Sequence, residues 1–241
     1  MTVALDGSTP ARFLDAGTVS PVESWTTASF SPPANTLLVL HLGGNPSGTG
    51  QTPTFNTPTN TGTALTWVQH GNSNNASGGG AVVWFAWNTN AQSSITVTGK
   101  ITWSTATGTA NSVAGWLDVQ NGAKSDQSTA AFAGSTGVAT TSNPSVTTTA
   151  TGSQVGGVMI DWNASGAPTS SDTIDAYTVA TETSGGRALK AANSGAPGSV
   201  SVNFVTTGSP INSFVVYEIL AASSSSSLDE DGEYIQTVQM W

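Results

Sequence analysis

Ala34-Asn-Thr-Leu-Leu-Val-Leu-His-Leu42 and Gly79-Gly-Ala-Val-Val-Trp-Phe-Ala-Trp-Asn88 decide how this chain folds. Each is a short apolar run rich in β-branched or aromatic residues, fenced by Asn, Gly or Ser. Helical periodicity is nearly absent, and runs of this kind between turn formers are the signature of an all-β chain. Outward from these two runs, strands are expected at Leu65–Gln69, Ser94–Thr98 and Ser112–Val119 in the first half. In the second half they are expected at Ser145–Thr149, Val155–Trp162, Ile174–Val179, Gly186–Lys190, Val200–Val205 and Ser213–Leu220. The segments Gly43–Thr54 and Asn72–Gly80 read as loops, because Gly, Asn, Ser and Pro dominate them.

The two halves follow one plan. Ala34–Leu42, Ala64–Val68, Gly79–Asn88, Ile95–Thr98 and Asn111–Val119 are matched in order and type by Gly152–Trp162, Asp172–Val179, Gly185–Asn193, Val200–Phe204 and Asn212–Leu220. The expected fold is therefore a two-sheet, jelly-roll-like β-sandwich built from two related halves, with strands of both halves interleaved. Residues 1–33 form an N-terminal arm and first strand, and 34–222 the sandwich, with repeat halves at about 34–123 and 140–222. Residues 223–241 form a serine linker and an acidic tail.

Of the 241 residues, 37% are hydrophobic, enough for a core, but only 8% are charged, against about 25% in an ordinary soluble domain. Thr, Ser, Asn and Gly must therefore cover the surface, a composition closer to extracellular or virion proteins than to cytosolic enzymes. The net charge is −9, and the five basic residues, Arg12, Lys100, Lys124, Arg187 and Lys190, form no stripe that would neutralise phosphates. Nucleic acid is not an expected partner. The chain has no cysteine, which removes disulfides, thiol nucleophiles and cysteine zinc sites. Met1–Gly7 lacks a basic then apolar pattern, so no secretory signal is expected there. No apolar run approaches the ~20 residues of a membrane-spanning helix, and no membrane insertion is expected.

Catalytic motifs are missing. There is no Gly-x-Ser-x-Gly, His-Glu-x-x-His, Walker or EF-hand pattern, so neither enzyme activity nor a metal or cofactor is expected. His41 and His70 lie in or beside strands with no partner motif and read as structural. Asp172 and Asp175, three apart at a strand start, suit turn capping or a loop-bound calcium better than an acid–base pair. Asp118 and Asp161 stand inside strands and are expected either to cap a strand end or to hydrogen-bond across the sheet. Tryptophan is the enriched type, with eight residues. Trp67, Trp84, Trp116 and Trp162 sit among apolar partners and read as core. Trp87 and Trp103 stand at strand ends beside Asn or Thr and are the candidates for stacking on a sugar.

Ser223–Ser227 is a serine run, the composition of a flexible linker. Beyond it Asp229, Glu230, Asp231 and Glu233 precede the apolar set Tyr234, Ile235, Val238, Met240 and Trp241. This set has no core of its own: it reads either as a frayed terminus or, as the cost of leaving these side chains in water favours, as a segment that docks on a partner.

The succession Asn35–Val39, Thr63–Trp67, Ala81–Ala86, Ser94–Thr98 and Trp116–Ala123, with the bridge Asn143–Ala150, resembles jelly-roll surface proteins of tailed bacteriophages. The resemblance covers residues 20–222 and rests on strand patterns, with no catalytic residue to carry over. It implies a capsid decoration, head-fibre or minor tail protein, placed on the virion surface and assembled in the host cytoplasm. The partners it implies are other capsid or tail subunits, further copies of the chain in the particle, and host surface glycans. The rival expectations are a carbohydrate-binding adhesin module and a sandwich glycosidase.

Overall fold

The structure is a computed structural model that describes residues 2–18, 22–45, 51–75, 79–104, 111–137, 141–164, 166–169, 172–179, 183–190, 196–223, 226–228 and 234–236. The first half supplies β1 (Ala4–Leu5), β2 (Phe13–Thr18), β3 (Val22–Thr26), β4 (Thr36–Asn45), β5 (Pro53–Asn60), β6 (Val68–Asn75), β7 (Gly79–Asn88), β8 (Val97–Trp103) and β9 (Asn111–Asn121). The second supplies β10 (Phe132–Gly137), β11 (Thr141–Ser142), β12 (Ser145–Thr147), β13 (Gln154–Ala164), β14 (Thr173–Val179), β15 (Thr183–Leu189), β16 (Ser199–Ser201), β17 (Phe204–Val205) and β18 (Gly208–Ile219). A hairpin of β19 (Ser226–Leu228) and β20 (Tyr234–Gln236) follows.

Burial explains which strands lie where. Every residue of β4 is buried, because Leu38, Leu40 and Leu42 enter one apolar cluster while Leu37 and Val39 enter another. A continuous apolar run is what a strand covered on both faces requires. By contrast β3 and β8 alternate buried and more exposed residues, the pattern of a sheet with one wet face.

The result is four layers. The outer sheet β3-β8-β5 packs on the sheet β9-β4-β7-β6, to which β1 and β2 add through β9. Trp25, Trp67, Trp84, Trp103, Ile101 and Leu117 are among the residues that fill the space between them. The other face of that large sheet packs on the second large sheet, β10-β18-β13-β15-β14, through Leu37, Val39, Phe85, Trp116, Ile160, Val215 and Tyr217. The short ladders β11-β17 and β12-β16 close the far side over Met159, Phe204, Phe214 and Val216.

The expected all-β sandwich of two related halves is present. Strand order β2-β9-β4-β7-β6 in the first half repeats as β10-β18-β13-β15-β14 in the second, and all ladders are antiparallel. Among the described residues, no sheet interleaves strands from both halves, contrary to expectation. Each half closes its own two-sheet sandwich, and the two large sheets then stack face to face. Several segments read as loops are strands: β4 runs on to Asn45, β5 begins at Pro53, and β6 covers Val68–Asn75 in place of Leu65–Gln69. Their Asn, Ser and Thr residues pair through backbone groups, which the polarity of the side chains conceals.

Candidate functional site

Charged residues set inside apolar strand runs converge between the two large sheets. Asp118 on β9 and Arg187 on β15 form a salt bridge across that interface, with side chains 1% and 10% exposed. His41 on β4 and Tyr217 on β18 are both fully buried, and His41 Nε2 lies 2.5 Å from the Tyr217 hydroxyl. Register explains the gathering. His41 pairs with Trp116 on β9, and Gly156 of β13 pairs with Tyr217. A Cβ on Gly156 would meet the Tyr217 hydroxyl at 2.4 Å, so glycine is what leaves the phenol its place. At the margin of the cluster, Trp116 Nε1 donates to Asp175 Oδ2 at 2.8 Å, and Arg12 forms an ion pair with Asp175 Oδ1.

Burial sets the protonation of this cluster. It pushes the His41 imidazole down to about 3, and the nearby Arg187 charge pushes the same way, against a hydrogen bond to the Trp116 backbone. His41 is therefore neutral across the physiological range. Burial raises the Tyr217 phenol, although the Arg187 charge opposes this. Arg187 is lowered by burial to about 10 and stays charged at neutral pH. His41 is neutral, Tyr217 keeps its phenolic proton, and both are closed to solvent, so their contact links β4 of one large sheet to β18 of the other.

Two other buried acids tie strands to loops. Burial pushes the Glu218 carboxyl up, but donors from Ser153, Ala131 and Thr149 outweigh it and hold the group below the usual range. The contacts include Thr149 N at 2.9 Å and Ala131 N at 2.9 Å, which bind the connection between the halves to β18. Asp161 Oδ1 accepts from Ile211 N at 3.0 Å. Burial dominates there and pushes its carboxyl up to about 7, against hydrogen bonds from Ile211 and Thr206.

The residues singled out from the sequence fall in several places. His41 belongs to the inter-sheet cluster. His70 is buried and stacks on Phe85, with ring centroids 4.2 Å apart. Asp172 pairs with Lys190 Nζ at 3.1 Å, while Asp175 serves Arg12 and Trp116, so the two carboxylates have separate partners. Among the described residues no group of three or more His, Cys, Asp or Glu could hold a metal ion. Trp67, Trp84 and Trp116 are buried; the Trp162 side chain lies outside the described residues. Trp103, expected at an exposed strand end, is 3% exposed and inside the first-half core. It faces inward because β8 runs on to it and keeps its alternation. Trp87 is half-buried and lines a crevice with Val68, Asp126 and Ser128. Tyr234 and Ile235 lie in β20, which pairs with β19. Asp229, Glu230, Asp231, Glu233, Val238, Met240 and Trp241 lie outside the described residues.

Sequence reading missed Arg187, Tyr217 and Glu218. The signal was there: in a chain this poor in charge, Arg187 in Gly-Gly-Arg-Ala-Leu and Glu218 in Val-Val-Tyr-Glu-Ile interrupt apolar strands. Such charges are rarely buried without a partner.

The chain matches no family model, no curated protein and no solved structure.

Proposed function

We propose that this protein is a structural, non-enzymatic component of a tailed-phage particle, displayed on the capsid or tail and held there by other virion subunits and by copies of itself. The observation that carries this reading is where the protein places its polar groups. Among the described residues, a cluster of charged and hydrogen-bonding side chains is sealed between two sheets and joins the halves. The exposed face of the outer sheet carries Lys100 but is otherwise covered with hydroxyls and amides: Thr26 meets Thr98 at 2.8 Å and Thr102 donates to Asn56 at 2.9 Å, while Thr61 meets Thr96 at 3.3 Å beside the ends of β5 and β8. Cross-strand pairs of this kind stabilise a sheet and keep a face wet with little charge. That suits a module that must stay folded and display itself outside a cell. The resemblance of its strand succession to phage surface proteins points the same way.

Mass spectrometry of purified particles from a producing culture, followed by antibody labelling under the electron microscope, tests the proposal. The chain should be present at a stoichiometry comparable to other structural subunits and label the particle exterior. Its absence from washed particles, or hydrolysis of a polysaccharide that stops when one carboxylate is removed, overturns the reading.

A further inference from the structure

Where β4 begins and β7 ends, the first large sheet and the loop that leads out of the first half enclose a crevice of about 270 Å³. Leu37 and Phe85 are buried and form its floor, Trp87 is half-buried, and Val68, Asp126 and Ser128 stand exposed at its rim. We propose that this crevice binds one neutral pyranose unit of a surface polysaccharide. The proposal does not depend on where the protein resides in a particle.

The chemistry of the lining selects the ligand. A pyranose has an apolar face of C–H groups and a rim of hydroxyls. Trp87, half-buried in the lining, offers an indole with an apolar face and a single N–H donor. Asp126 supplies the polar partner. Its Oδ1 accepts from Ser128 N at 2.9 Å, which fixes the direction of the carboxylate. A carboxylate has about four lone-pair sites, so Asp126 retains acceptor capacity for sugar hydroxyls. Hydrogen bonds from Ser128 also hold its pKa below the usual value, keeping it ionised. The volume lies just under the ~300–1,000 Å³ of drug-sized pockets, which suits a single ring. The ionised Asp126 and a net charge of −9 disfavour uronic or sialic acids. The protein's own tail is the competing occupant, because Ala222 N bonds Gly122 O and Ala221 bridges Ala123, close in sequence to the rim loop.

Affinity electrophoresis of the full chain through gels containing dextran, mannan or galactan tests this, with polygalacturonate as the acidic control. At least one neutral polymer should retard the protein and polygalacturonate should not. Trp87→Ala and Asp126→Ala should each weaken the retardation about tenfold or more. Asp126 is exposed, so its variant should melt with the parent protein and decides the matter even if Trp87→Ala misfolds. The proposal fails if none of the three neutral polymers retards the full chain. It also fails if Asp126→Ala is retarded like the parent, or if polygalacturonate retards as strongly. Retardation seen only after truncation at Ala222 assigns the crevice to the tail and overturns the proposal too.

Discussion

His41 and Asp161 carry opposite proton linkages, because burial shifts a base and an acid in opposite directions. The folded-state pKa of His41 is about 3 against an ordinary 6.5. Between those values the unfolded chain binds the extra proton, so this group makes stability rise with pH and level off above 6.5. Asp161 is at about 7 against an ordinary 3.8. There the folded chain holds the extra proton, so stability falls as pH rises from 3.8 to 7. In the window from 3.8 to 6.5 the two slopes oppose, each at most about 1.4 kcal/mol per pH unit. Chemical denaturation from pH 4 to 7 should show a shallow profile for the parent. Asp161→Asn should give a profile rising toward pH 6.5, and His41→Gln one falling toward pH 7. Parallel profiles for all three would remove both assignments. The salt bridge of Asp118 with Arg187 is the second test at this scale. Removing one partner leaves a buried charge, so Asp118→Ala should cost about 3–5 kcal/mol. Asp118→Leu with Arg187→Met should cost far less, and a double-mutant cycle measures the difference.

At the scale of elements, β4 and β13 approach closely where Gly43 meets Ile160. A Cβ on Gly43 would lie 1.9 Å from Ile160 Cγ1 and 2.2 Å from its Cδ1. Gly43→Ala should therefore destabilise the protein by about 1–3 kcal/mol through overpacking. Ile160→Ala alone opens a cavity and should cost about 2–5 kcal/mol. Together they should cost clearly less than the sum, since each relieves the other, and thermal melts of the four proteins would show it. Strict additivity would mean that the sheets do not touch there. The same closeness explains why Gly43 and Gly44 sit in a strand although they read as the start of a loop. Their missing side chains are what allow Ile160 on one face and Ile101 and Trp103 on the other to come near.

For the whole molecule, the face shared by the two large sheets makes the halves depend on each other. Leu37, Val39, Phe85 and Trp116 would be laid bare in an isolated first half, and Ile160, Val215 and Tyr217 in an isolated second. Patches of that kind drive association. Expressed separately, the halves should aggregate or self-associate on size-exclusion chromatography, and co-expression should restore a soluble heterodimer. Two independently soluble monomers would contradict this. The tail is a different case. Truncation after Ala222 should leave the melting temperature within about 2 °C, since the stacked sheets close upstream of it; a 1 kcal/mol loss moves a domain of this size by about 2–4 °C. If the apolar tail docks on a virion subunit, burying several side chains at about 1.5–3 kcal/mol each, the truncated protein should no longer enter particles. Normal incorporation would assign the tail no role in assembly.

The sequence by itself determined the all-β class, the two related halves and the inner strands β4, β7, β9, β13 and β18, while β2, β5 and β10 escaped it and β6 was placed too early. These rest on local signals: apolar runs of strand length, and the Gly, Asn, Ser and Pro that separate them. It also held the sign of a four-layer stack, since the unbroken run Leu37–Leu42 and the strand Val155–Trp162 suit strands covered on both faces, while Val97–Trp103 alternates. Only the tertiary structure decided that the halves stack without exchanging strands, that Trp103 lies in the core while Trp87 borders a crevice, and that Asp118 meets Arg187. The reason is physical. Burial and charge pairing depend on which sheet lies above a strand, and that is settled by packing between residues far apart in the chain, where no local spacing records the partner.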